Sequence, residues 1–147
     1  MTINSIQDEI IEEFEDIVDW MDRYAYIIEL GTSLPALPEE EKTPQNLIEG
    51  CQSRVWITAD LDSEGNIVFR ADSDALIVKG IVALLLRVVS GHKPREILDA
   101  DLYFINRIGL SEHLSPTRSN GLVAMVRQMR NYATAFDMLQ HRNSGTA

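Results

Sequence analysis

From Ala75 to Val89 only Lys79, Gly80 and Arg87 interrupt an otherwise apolar run, and this stretch limits what the chain can become. Apolar residues fall on nearly every face of a helix drawn through it. The pattern therefore predicts a helix over about 74–89, buried at the centre of the fold. The run is too short and too often broken for the roughly 20 apolar residues that a membrane span needs. Asp72, Ser73 or Asp74 can cap its start, and Ser90-Gly91 can end it. The rest of the chain must supply the faces that cover it.

Two helices come first. Ile6, Ile10, Phe14, Ile17, Val18 and Met21 recur at three- and four-residue steps and predict one amphipathic helix, with Ser5 and Asp8 at its cap. A shorter helix is expected from about Asp22 to Leu30, with Gly31 as its stop. Pro35 and Pro38 forbid a continuous helix through 34–38, and Pro38-Glu39-Glu40-Glu41 suits a single turn. Alternation of Val55, Ile57, Ala59 and Leu61 with polar or aromatic neighbours has the period of a strand. Asp62-Ser63-Glu64-Gly65-Asn66 is turn chemistry, and the alternation resumes over 67–71, giving an antiparallel hairpin. A third strand is not placed by the pattern.

Beyond the central helix, short helices are expected at Pro94–Leu98 and Asp101–Ile108, the second ended by Gly109. Ser115-Pro116 is a strong start signal for a long closing helix whose core side is Leu122, Val126, Met129, Ala133, Phe136 and Leu139. A polar, frayed tail is expected from His141. The fold class is α+β, a small antiparallel sheet covered by helices. The 147 residues are enough for one domain, 1–147, with a core that needs no staples.

Charge narrows the partners. Thirteen basic residues against 23 acidic ones give a net charge of −10, which repels phosphate backbones. No basic stripe with interleaved aromatics appears, so nucleic acid is not expected as a partner, and with no run long enough to span a bilayer a membrane is not expected either. The acidic, amphipathic start has neither a basic nor a continuous apolar region of a secretory signal, and a cytoplasmic address is expected. No phosphate-cradling glycine loop is present. His92, His113 and His141 stand apart, and one cysteine cannot build a thiolate cluster, so no metal site and no cofactor are expected.

That cysteine, Cys51, cannot form an internal disulfide. Free thiols are often small buried hydrophobes. Here Glu49, Gly50, Gln52, Ser53 and Arg54 surround it, a poor setting for a core strand. Gly50 allows a tight loop to present the thiol, with Leu47 and Ile48 as anchors on one side. Arg54 would favour the thiolate and Glu49 would oppose it. On these residues alone, a reactive and a structural cysteine are evenly matched.

The segment Gly50-Cys51-Gln52-Ser53-Arg54-Val55-Trp56 resembles the signature loop of the SufE family of sulfur acceptors. Three further blocks are similar to that family in the same order. They are Asp22-Arg23-Tyr24-Ala25-Tyr26-Ile27-Ile28-Glu29-Leu30-Gly31, then Phe69-Arg70-Ala71-Asp72-Ser73-Asp74-Ala75 leading into Lys79-Gly80, and Leu114-Ser115-Pro116-Thr117-Arg118-Ser119-Asn120-Gly121-Leu122. The resemblance spans Asp22 to about Arg130. Ile48 departs from the family's frequent valine, and the two ends look peculiar to this protein.

The resemblance implies that Cys51 takes sulfur as a persulfide from a cysteine desulfurase, SufS-like or CsdA-like, and stimulates that enzyme. Delivery then goes to an iron–sulfur scaffold such as a SufB-like complex. In this reading the protein is an accessory to the desulfurase rather than an independent enzyme. Gly50, Gln52, Ser53, Asp74 and Arg118 are the candidate supporting or partner-binding residues. Arg118 in the first turn of the closing helix opposes the helix dipole. The resemblance implies that it faces the Cys51 loop or the partner, and on charge alone an ordinary pairing with one of the many acids is an equal alternative. Asp74 is otherwise an ordinary helix-start carboxylate. A thiol sheltered at rest and exposed on docking would suit such a carrier. Two rival readings remain. One is a cysteine hydrolase or thioesterase using Cys51 with His92 or His113 as base. The other is an acidic adaptor with an inert thiol.

Overall fold

The computed structural model describes residues 1–49 and 53–144. The central helix forms as the apolar run requires: α3, Leu76–Val89, buries ten of its residues, with Val82, Leu85 and Val88 fully enclosed. It starts at Leu76, two residues later than expected, because the chain before it stays in the sheet. No side chain caps it at Ala75; Ser73 Oγ instead accepts from the Ala75 N–H one step earlier, at 3.2 Å. Gly91, at φ 84°, makes the expected turn after the helix.

α1, Ile3–Glu15, and α2, Trp20–Thr32, cover α3 on one side. The single stripe expected through Met21 is corrected. α1 ends at Glu15, and Val18 and Met21 are 90% and 69% exposed. The cause is Arg23, which the stripe does not include. Its guanidinium donates to the carbonyls of Ile17 (2.6 Å), Phe14 (3.0 Å) and Ile108 (3.0 Å), so the chain can turn between the two helices without orphaning those oxygens. Thr2, not Ser5, caps α1, accepting from the Ser5 N–H at 3.0 Å. Gln7 is fully buried with its amide satisfied: it donates to the Asp101 carbonyl and accepts from the Phe104 N–H.

Gly31 also departs from expectation, lying inside α2 rather than ending it. A Cβ there would stand 2.7 Å from the Gly80 backbone nitrogen, and a Cβ on Gly80 would stand 2.0 Å from the Ile27 carbonyl oxygen. The two helices therefore meet backbone to backbone. Arg87, about two turns after Gly80 on α3, reaches back to Glu9 at 2.9 Å and pairs with Glu13. The Arg87 bond holds the Glu13 carboxyl below the usual range despite partial burial. Burial first, then the bond to Glu13 at 2.7 Å, push the Tyr26 phenol up to about 12.

The hairpin is β1, Val55–Leu61, and β2, Ile67–Ser73, antiparallel with Val55 opposite Ser73 and Leu61 opposite Ile67. It matches the expected boundaries except that β2 continues two residues further. Among the described residues the sheet has two strands; Leu47 and His92 each add only an isolated bridge. Glu39–Glu41 forms the expected single turn. α4, Pro94–Asp99, is as expected, while the next helix shortens to α5, Phe104–Arg107. Gly109, at φ 85°, separates it from α6, Leu110–His113, for which the sequence carried no clear signal. α7, Pro116–Ser144, closes the fold across β1 and α4 and runs past the expected end near His141. Leu122, Met125, Met129 and Ala133 are its buried side, whereas Leu139 is 47% exposed. Among the described residues no helix is long and apolar enough to cross a membrane.

The helix contact gives a direct test. Gly80→Ala forces α2 and α3 apart, with an expected loss of about 3 kcal/mol, the upper end for overpacking. Urea unfolding checks it; a midpoint equal to wild type would mean that the crossing tolerates separation.

Candidate functional site

Gly50, Cys51 and Gln52 lie outside the described residues, so the site is built from what holds them on either side. On the N-terminal side, Asn46 to Ile48 run antiparallel to the start of β1. The Ile57 N–H donates to the Asn46 carbonyl at 2.9 Å, and the Ile48 N–H donates to the Val55 carbonyl at 2.8 Å. Ile48 is buried, fulfilling the anchor expected of it, while Leu47 stays 36% exposed. Residues 49–54 are thus closed at their base by a backbone bond.

The C-terminal side is pinned at Arg54. Its N–H donates to Asp74 Oδ1 at 3.0 Å, and its carbonyl accepts from Ser73 Oγ at 2.8 Å and the Asp74 N–H at 3.2 Å. Asp74 therefore does more than favour a helix start: its carboxylate grips the backbone three residues after Cys51. The Arg54 side chain itself points to solvent.

Arg118 and Ser53 come together. They line a narrow slot with Val78, Ile81, Gly121 and Met125. Arg118 sits in the first turn of α7, where Ser115 Oγ accepts its N–H at 3.3 Å, and its guanidinium donates to the Tyr24 hydroxyl at 3.0 Å. Sequence reasoning does not single out Tyr24, although it stands in one of the four family-like blocks. A neutral phenol takes up one N–H while leaving the positive charge uncompensated.

Beneath the site is Asp72, which the sequence suggested only as a possible cap. It is 5% exposed. Its Oδ2 accepts from the Leu37 N–H at 3.0 Å and its Oδ1 from the Ser73 N–H at 2.8 Å, with Lys42 and Lys79 at 3.4 and 3.5 Å. Lys42 also lies 5.3 Å over the Trp56 ring. Burial pushes the Asp72 carboxyl upward, but the two backbone donors and the two lysines outweigh it, and the pKa is lowered. This carboxylate ties the irregular 34–38 segment, the end of β2 and α3 together behind the Cys51 segment.

The histidines lie elsewhere. His92 is buried, with its Nε2 3.0 Å from the Met1 carbonyl, and bridges to Ile67. Ile67 is at the far end of the hairpin from Val55, roughly 20 Å along the strands. The His113 ring stacks on Trp20 with centroids 4.1 Å apart. Neither joins the described flanks of the Cys51 segment, which removes support for a hydrolase base. Among the described residues no three His, Cys, Asp or Glu side chains are placed to hold a metal ion.

These features define a small α+β protein whose one thiol is carried on a short segment anchored at both ends. The family model for SufE, described as an Fe-S metabolism associated domain, matches residues 8–133. The chain belongs to the SufE family, and its role is in iron–sulfur metabolism. Its fold is similar to the solution structure of a hypothetical protein from Thermus thermophilus. The TM-score is 0.74 at 21% identity, covering 90% of this chain and 96% of that one. At that identity the likeness concerns the fold.

The Asp72 network has a defined pH signature. A carboxyl with a lowered folded pKa stabilises fully above its unfolded value, about 3.9, and loses that contribution as pH falls toward the folded value. Asp72→Asn is expected to cost about 2 kcal/mol at pH 7, the range for a charged hydrogen-bonded group. The gap between variant and wild type is expected to narrow below about pH 4. Chemical unfolding at pH 7 and pH 3 checks both points.

Proposed function

We propose that this protein accepts sulfur on Cys51 from a PLP-dependent cysteine desulfurase and passes it on to iron–sulfur cluster assembly. One observation carries the reading. The chain's lone cysteine falls in a six-residue segment, 49–54, whose two ends are fastened by the Ile48–Val55 and Arg54–Asp74 bonds. Membership of a family associated with Fe-S metabolism supports it.

The chemistry is a thiol exchange. The Cys51 thiolate attacks the outer sulfur of a persulfide held on the desulfurase cysteine. A new S–S bond forms on Cys51, the old S–S bond breaks, and the desulfurase thiolate leaves with the electron pair. No net oxidation occurs. The outer sulfur of the Cys51 persulfide is then open to the same attack by the next acceptor. Freeing the desulfurase thiolate resets that enzyme, so the protein stimulates it.

In this scheme the neighbours divide the work. Asp74 holds Arg54 and with it one end of the segment. Arg118, beside Ser53, supplies positive charge that favours thiolate and persulfide anion over their protonated forms. Glycine at position 50 is assigned the role of letting the thiol reorient. Ser53 lines the slot with Arg118 where a docked partner would touch, and Gln52, its neighbour in sequence, is assigned to the same contact. Shelter of the thiol at rest belongs to the same proposal, because an exposed persulfide would be reduced by small thiols. The partner is of the SufS or CsdA type, and the receiving complex of the SufB type.

Sulfide release by a cysteine desulfurase, measured with and without this protein, tests the reading. Wild type is expected to stimulate, and Cys51→Ser to lose the stimulation completely while unfolding at the same temperature. Stimulation that survives Cys51→Ser would make the protein an adaptor. Thioester hydrolysis without any desulfurase would instead make it a hydrolase.

A further inference from the structure

In a chain of net charge −10, a cation without a carboxylate is unexpected. Most described cations have found partners, as Arg87 has with Glu9 and Glu13, or Arg23 with three backbone carbonyls. Four arginines are different. Among the described residues, the side chains of Arg54, Arg107 and Arg127 make no hydrogen bond or ion pair, and Arg118 donates only to the neutral Tyr24 hydroxyl.

Three of these four surround one segment. Arg54 is exposed at its C-terminal end, and Arg118 lines the slot with Ser53. Arg127, exposed on α7, lines a crevice of about 310 Å³ with Leu47, Ile48 and Glu49 at the N-terminal end. Two carboxylates share this face. Glu49 stands in the same crevice without pairing with Arg127, and Asp74 is engaged with the Arg54 backbone. Among these described residues around the segment, three arginine side chains stand against two carboxylates, on a chain of net charge −10.

The spacing says what kind of ligand fits. Arg118 and Arg127 are nine residues apart on one helix, about 13 Å along its axis and about two and a half turns around it, so they bracket the segment from opposite sides of α7, and Arg54 stands just before β1. A single phosphate or carboxylate cannot span three such points. A macromolecular surface can. The negative remainder of the protein repels an acidic surface from every other approach, so the same charges would set orientation as well as attraction.

We propose that Arg54, Arg118 and Arg127 form the recognition surface for carboxylates ringing the sulfur-donating cysteine of the partner desulfurase, with Arg127 the specificity determinant. This rests on the sulfur-acceptor reading and names the chemistry of the partner surface that the acceptor meets. The exposed Leu47 in the same crevice supplies apolar contact between the charges.

The test compares binding of the intact protein to a cysteine desulfurase for wild type, Arg127→Glu, Arg127→Gln, Arg107→Glu and Cys51→Ser. Arg127→Glu is expected to weaken binding about tenfold at low salt, chiefly by slowing association, and the deficit is expected to shrink toward 0.5 M salt as screening takes over, roughly as exposed charges behave. Arg127→Gln is expected to weaken it about threefold, in keeping with loss rather than reversal of one charge. Arg107→Glu, equally unpaired but on α5, is the matched control and is expected to bind as wild type. Wild-type affinity for Arg127→Glu, or an equal loss for Arg107→Glu, overturns the recognition surface. If stimulation is also lost in Cys51→Ser, that failure is confined to the surface, and sulfur acceptance stands. Stimulation that survives Cys51→Ser overturns sulfur acceptance itself, and this proposal with it.

Discussion

The fold depends on two glycines. Gly31 and Gly80 let α2 and α3 approach until the backbone of one touches the backbone of the other, with no room for a Cβ on either side. A central helix that is apolar nearly all round must be covered closely, because any gap forfeits dispersion contacts that nothing else can replace. Direct contact of α2 with α3 also brings Tyr24, two turns before Gly31, to the start of α7. There its hydroxyl meets Arg118. A packing constraint far from the thiol thus helps set the electrostatics beside it.

Asp72 is a second point of convergence. A carboxylate this enclosed persists because two backbone N–H groups and two lysines satisfy it together. Each donor comes from a different part of the chain: the proline-containing segment, the strand end, the turn after Glu39–Glu41, and the central helix. Removing water from one charge has fastened four segments to one another. The Cys51 segment springs from this fastened base, with Arg54 clipped to Asp74 immediately above it.

A rigid base under a short segment suits transfer chemistry. The proposed thiol exchange would need the nucleophile, the central sulfur and the leaving sulfur brought into line, and fixed segment ends would narrow the orientations to be searched. The charge distribution complements that geometry. Acidic residues dominate the surface, whereas the flanks of the segment keep arginines that no carboxylate of the described residues neutralises. Such cations are available to a thiolate or to a partner.

The sequence by itself determined whatever depends on periodicity, turn chemistry and local motif. The central helix, the hairpin strand at Val55–Leu61 and the start of α7 at Ser115-Pro116 were all legible in it, because each is encoded in neighbouring residues. Tertiary structure decided what depends on residues distant in sequence. α1 stops at Glu15 because Arg23 takes up the carbonyls at the turn, although the apolar spacing continues to Met21. Gly31 is a helix contact rather than a helix end because Gly80 lies opposite. Asp72 and Asp74 read alike as helix-start acids, yet one is buried between two lysines and the other grips Arg54. Which arginines remain without a carboxylate is likewise a property of the folded surface, since pairing depends on what the fold brings within reach and not on order along the chain.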